Sequence, residues 1–184
     1  MYHSSDPRAA LAAAPVGTKP AATHFAGAEY AKFYETPPTE DRNGARTWYA
    51  RGQNFIIAYT DADKGAALSR TSQPDEYVVL LPDPGVGAEI VWGNERVVVG
   101  GHSISFVPAG ASSVTLLGAA KVVRMVTTRS EDLARLCSNA ASYATPHPNL
   151  PPFEPWPEAT GSPKIRTYSL DVAATPGRFG RIFR

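Results

Sequence analysis

The feature that most constrains this chain is a train of eight short apolar runs between residues 46 and 127, each closed off by turn-forming residues. The runs are Arg46–Arg51, Asn54–Thr60, Glu76–Leu81, Ala88–Trp92, Arg96–Val99, Ser103–Val107, Ser113–Leu117 and Lys121–Thr127. Their β-branched and aromatic residues suit a pleated, half-buried surface. Between them stand Pro82-Asp-Pro-Gly85, Gly93-Asn94, Gly100-Gly101, Pro108-Ala-Gly110 and Gly118. Strands punctuated this often predict an all-β antiparallel barrel or sandwich, not alternating β and α units. Gly93-Asn94, between two such runs, predicts a tight hairpin, because a two-residue turn that follows the strand twist needs positive φ.

The flanks read differently. Residues 1–45 are rich in Ala, Pro, Gly and Thr without a sustained period and predict a largely irregular N-terminal arm. After the barrel region, 46–128, one helix is expected over 129–144. Ser130 stands at its N-cap, Glu131 and Asp132 oppose the positive end of the dipole, and Leu133, Leu136 and Cys137 form an apolar stripe. Residues 145–163 hold six prolines between Pro146 and Pro157, which forbid helix and central strand and predict an extended wrap, with Phe153 and Trp156 available to pin it. Residues 164–184 predict two more strands, Lys164–Leu170 and Phe179–Phe183, the last ending inside its own run and therefore expected either to pair with a partner's sheet edge or to belong to a longer chain.

Charge narrows the function classes. With 18 Lys+Arg against 17 Asp+Glu, the formal charge is +1, and no basic excess is available for a phosphate backbone. The apolar runs are far shorter than the roughly 20 residues of a membrane span. One cysteine, Cys137, has no partner for an internal disulfide, and the N-terminus lacks the basic start and continuous apolar stretch of a signal peptide. The expectation is a cytoplasmic protein that binds neither nucleic acid nor membrane.

Residues 70–126 resemble a cupin, a member of the RmlC-like β-barrel superfamily. In Arg70-Thr-Ser-Gln-Pro-Asp-Glu-Tyr-Val-Val-Leu-Leu81, Glu76 falls where the first cupin motif has its glutamate, and Gly93 matches the glycine of the next hairpin. Gly101-His102-Ser-Ile-Ser-Phe-Val-Pro108-Ala-Gly110 is similar to the second motif. The resemblance implies a cupin-like antiparallel barrel or jelly roll with a short C-terminal helix and a Pro-rich extension. In the family, three imidazoles and one carboxylate hold the metal. Here the first two imidazole positions fall on Arg70 and Ser72, or on Ser69 and Thr71, and the third on Ser113. Hydroxyls and a guanidinium do not replace imidazole as ligands for Fe, Mn, Ni or Zn. No metal and no cofactor are therefore expected, and the chain resembles the N-terminal, metal-lacking half of a two-cupin protein.

Little else carries chemistry. His3, His24, His102 and His147 show no ligand spacing, Cys137 lies on the apolar helix stripe, and Gly100-Gly101 leads into a strand and not a phosphate-binding helix. Asp75-Glu76 is a carboxylate pair entering a strand. Alternation predicts a polar lumen of Arg70, Ser72, Glu76, Ser105 and Ser113, with Trp48, Tyr59 or Trp92 nearby, able to bind a small polar molecule or sugar acid. The expected function is a metal-free module for small-molecule binding or for structure and dimerisation, as a homodimer or beside a second cupin domain. The alternative is a cupin enzyme, metal-independent or metal-dependent (isomerase, epimerase, lyase or dioxygenase), acting on a small polar or sugar-acid substrate. In it, Glu76 or His102 would transfer the proton.

Overall fold

Alternation along each strand decides which side chains meet. The computed structural model describes residues 29–145 and 161–171. The strands are β1 (Glu40–Arg42), β2 (Ala45–Arg51), β3 (Phe55–Ala62), β4 (Ala67–Arg70), β5 (Tyr77–Leu81), β6 (Ala88–Trp92), β7 (Glu95–Val99), β8 (Ser103–Val107), β9 (Ser112–Leu116), β10 (Ala120–Thr127) and β11 (Arg166–Ser169). All belong to the unit that starts at Lys32. They form two antiparallel sheets, one ordered β1-β2-β3-β10-β5-β8-β11 and the other β4-β9-β6-β7.

All eight predicted runs are strands, with ends shifted by no more than two residues. The Gly93-Asn94 hairpin forms, with Trp92 opposite Glu95 and Gly93 at φ +55°. β1 and β4 lie outside the predicted runs. β1 falls in the stretch expected to be irregular, where Asn43 at φ +53° and Gly44 at φ +74° make the two-residue turn that folds Glu40–Arg42 back on β2. β4 lacks β-branched residues and is held by pairing with β9 along its whole length.

The core lies between the sheets. Ile56, Tyr77, Val79, Leu81 and Val122 from the larger sheet face Ile90, Val114 and Leu116 from the smaller one, all buried. Each such side chain contributes roughly 1.5–3 kcal/mol by leaving water.

The expected helix over 129–144 is broken. Only Glu131–Ala134 is α-helical, and a separate 3-10 turn spans Ala140–Tyr143. Ser130 makes no side-chain cap; its hydroxyl instead accepts a hydrogen bond from Gln73 Nε2 at 2.9 Å. Leu133 and Cys137 still bury the predicted stripe. The segment therefore folds as two short turns laid on the barrel, because tertiary contacts outweigh local helix preference. The Pro-rich wrap over 146–157, with Phe153, Trp156 and His147, lies outside the described residues, as do the strand over 179–183, His3 and His24. Among the described residues, no helix is long and apolar enough to cross a membrane.

Candidate functional site

The strand carrying the site is β10. Val122, Arg124 and Val126 alternate onto its inner face and are buried, while Lys121 and Met125 point outward and are exposed. Arg124 is flanked by Ala58 on β3 and Val79 on β5, and Ala58 is in turn opposite Tyr49 on β2. Alanine between an arginine and a tyrosine leaves room for both long side chains. One row further along β2 and β3, the hydroxyls of Thr47 and Thr60 share a buried hydrogen bond at 3.0 Å. The facing sheet contributes Leu68 and Arg70 from β4.

Together these enclose a cavity of about 190 Å³ reaching from Arg124 to a mouth formed by Glu40, Arg42, Asp132, Leu133 and Leu136. A wider depression of about 530 Å³ elsewhere is lined by Arg46, Asp61, Asp83 and Lys121. Arg46 and Asp61 there are already paired at 2.9 Å, on the outer face.

The mouth is compensated throughout. Arg70 forks onto Asp132, Nη1 to Oδ2 at 2.6 Å and Nη2 to Oδ1 at 3.1 Å, and its Nε donates to Gln73 Oε1 at 2.9 Å. The hydrogen bonds from the Arg70 guanidinium hold the Asp132 carboxyl below the usual aspartate value, partial burial acting the other way. Glu40 pairs with Arg42 at 2.8 Å and accepts the Tyr49 hydroxyl at 2.5 Å. Burial, and then that bond to a carboxylate, push the Tyr49 phenol far above an ordinary tyrosine. Tyr77 is also pushed up by burial, its bond to Ser112 at 3.0 Å acting the other way.

Arg124 is the exception. It is 7% exposed, its Nε makes no hydrogen bond, and no ion pair among the described residues includes it. Burial lowers its pKa from the usual arginine value, and the electrostatic influence of Tyr49 and Tyr77 opposes that. A guanidinium nevertheless stays protonated in proteins.

The lumen expected from the sequence is split by the strands. Arg70 and Ser105 face inward, but Ser105 is bonded to Thr167 Oγ1 at 2.9 Å and does not line the cavity. Glu76 is exposed, in phase with Val78 and Leu80 on the outer face, and Arg166 Nη2 holds both its oxygens at 2.6 and 2.7 Å. Ser113 lies outward between the buried Ser112 and Val114, one residue out of phase. Ser72 is exposed and contributes only its backbone carbonyl, to Arg70 at 3.4 Å. His102 sits in a turn at φ +49°, its Nδ1 2.7 Å from Asp171, away from the cavity. Asp75 diverges from Glu76 to bond Thr127 and Arg129, so the two do not act as a pair. On the outer face Tyr59 stacks on Phe33 and Trp48 packs tilted against it, and Trp92 donates to Ala109 O at 2.7 Å. Cys137 is buried and donates to Leu133 O, and burial raises its thiol pKa. The residues that line the lumen, Arg124, Tyr49 and Thr47, were not among those expected. Their signal was a charge in phase with Val122 and Val126.

Such an interior does not fit a divalent metal. Among the described residues, no three His, Cys, Asp or Glu side chains cluster. The inner polar groups are guanidinium, phenol and hydroxyl, and the unpartnered cation of Arg124 repels another one.

Among solved structures, the chain is similar to an RmlC-like cupin from Shewanella frigidimarina, at 16% identity over 57% of this chain and 96% of that one, with a TM-score of 0.47. It is also similar to KdgF from a Halomonas species, at 14% identity, 58% and 98% coverage and a TM-score of 0.48. A cupin superfamily protein from Desulfitobacterium hafniense shows 18% identity, 48% and 82% coverage and a TM-score of 0.42. The likeness is one of fold, and nothing about activity comes with it. No family model matches the chain, and no curated protein does.

Proposed function

We propose that the sandwich is a small-molecule-binding module whose ligand occupies the cavity between β2, β4 and β10. The observation that supports this is a polar cavity of about 190 Å³, open at its mouth, that is lined by a buried, incompletely bonded side chain, Arg124. Native interiors rarely leave such groups without a protein, water or ligand partner. At roughly 30 Å³ per water, the space takes about six water-sized groups, which suits a small metabolite. Catalysis through Glu76 or His102 has less support, since neither side chain lines the cavity.

Differential scanning fluorimetry against small acids, amides, amines and polyols tests the reading, because a ligand that binds only the folded chain raises the melting temperature. The expected result is a shift by at least one class, lost when Leu68→Trp fills the cavity. A flat response across all four classes overturns it.

A further inference from the structure

We infer that the ligand of this cavity is a small carboxylate, anchored by the guanidinium of Arg124. The inference rests on the cavity being the binding site, and adds its charge and shape.

Charge is the first argument. The side chains that reach the cavity include three guanidiniums, Arg42, Arg70 and Arg124, and two carboxylates, Glu40 and Asp132. Glu40 and Arg42 neutralise each other at 2.8 Å, and Asp132 and Arg70 at 2.6 Å. One positive charge is left over, and it is the most deeply buried of the three. A buried charge without a partner is destabilising by several kcal/mol unless something of opposite sign joins it. A cationic ligand would add to the problem and a neutral one would leave it unsolved.

Geometry is the second. Arg70 has its Nε and both Nη atoms engaged, so it is not available to a ligand. Arg124 lines the cavity and forms no ion pair among the described residues. A guanidinium presents N–H donors in parallel pairs, which match the two oxygens of one carboxylate. The Tyr49 hydroxyl donates to Glu40, so the anion is held by Arg124 and not by that phenol.

Size is the third. A cavity of about 190 Å³ lies below the roughly 300–1,000 Å³ usual for drug-sized ligands, so the part of the ligand inside the mouth is a few carbons.

Matched probes test this on the full chain. Acetate and lactate are compared with acetamide and lactamide, and with inorganic phosphate, at constant ionic strength in fluorimetry and isothermal titration. Acetate or lactate raises the melting temperature, and its uncharged match does not. In Arg124→Gln the affinity for that carboxylate falls by at least about tenfold, as a lost charge-assisted hydrogen bond requires. Arg124→Met, which removes the charge without needing a partner, loses the response while its far-ultraviolet circular dichroism stays unchanged. Equal shifts from an acid and its amide overturn the carboxylate assignment but leave the cavity reading standing. A carboxylate response that survives in both Arg124 variants overturns it too, as does a response to phosphate alone. No response to any probe, with Leu68→Trp also silent, overturns the cavity reading itself.

Discussion

The mouth and the floor of the cavity use the same side chain in opposite ways. At the mouth, Arg70 reaches across to the helix at Glu131–Ala134 and is bonded by Asp132, Gln73 and the Ser72 carbonyl. On the floor, Arg124 sits on a sheet strand between Ala58 and Val79, with neither a carboxylate nor a hydrogen bond at its Nε. One guanidinium fastens two parts of the fold together. The other has no ion pair among the described residues to fasten it. A buried, unpaired charge fits the proposed ligand site, whereas one that is fully bonded needs no ligand to explain it.

That contrast can be broken by experiment. The largest effect is expected at Leu133, which is buried beneath the mouth: Leu133→Ala should lower the unfolding free energy by about 2–5 kcal/mol in urea titration. The two arginines should then differ in sign. Arg124→Met should raise stability by about 1–4 kcal/mol, because an unpaired buried charge is replaced by apolar volume. Arg70→Met should lower it by about 1–3 kcal/mol, because the buried Gln73 Oε1 loses its donor. The same sign for both would dissolve the distinction between floor and mouth.

Titration sharpens it further. An unfolded tyrosine ionises near pH 10, and Tyr49 and Tyr77 resist ionisation above that when folded. Between the unfolded and folded values the unfolded chain binds fewer protons, so stability should fall as pH rises beyond about 10. Tyr49→Phe and Tyr77→Phe should each flatten that alkaline limb. Asp132 acts at the other end. Its lowered pKa gives stability that is present above about pH 4 and lost as acid protonates it, to a small extent because its side chain is 63% exposed. Arg70→Met should remove this acid-side slope. The smallest effect is expected outside the cavity. Glu76→Gln loosens an exposed ion pair with Arg166, worth about 1 kcal/mol or less, and should leave carboxylate binding unchanged.

Eight strands and the Gly93-Asn94 hairpin were legible because period-two alternation and glycine turns are local properties of the chain. The candidate site was less legible. A shift of one residue moves every side chain of a strand to its other face, and that separates Ser113 from the inward Ser112. Glu76 was placed inside by the cadence of the first motif. The strand starts at Tyr77, whose phase puts Glu76 outside, where β11 brings Arg166 to meet it. Arg124 was visible as the charge between Val122 and Val126, but not as an unpartnered one.

Local alternation and turn chemistry thus sufficed for the number of central strands, their hairpins and most of the core. Pairing over long separations decided the rest: which face of β5 and β9 turned inward, that Arg70 should find Asp132 sixty-two positions away, and that no described residue should bond the Nε of Arg124. Hydrophobic pattern is written in neighbouring residues, whereas charge compensation depends on which distant strands come to lie side by side.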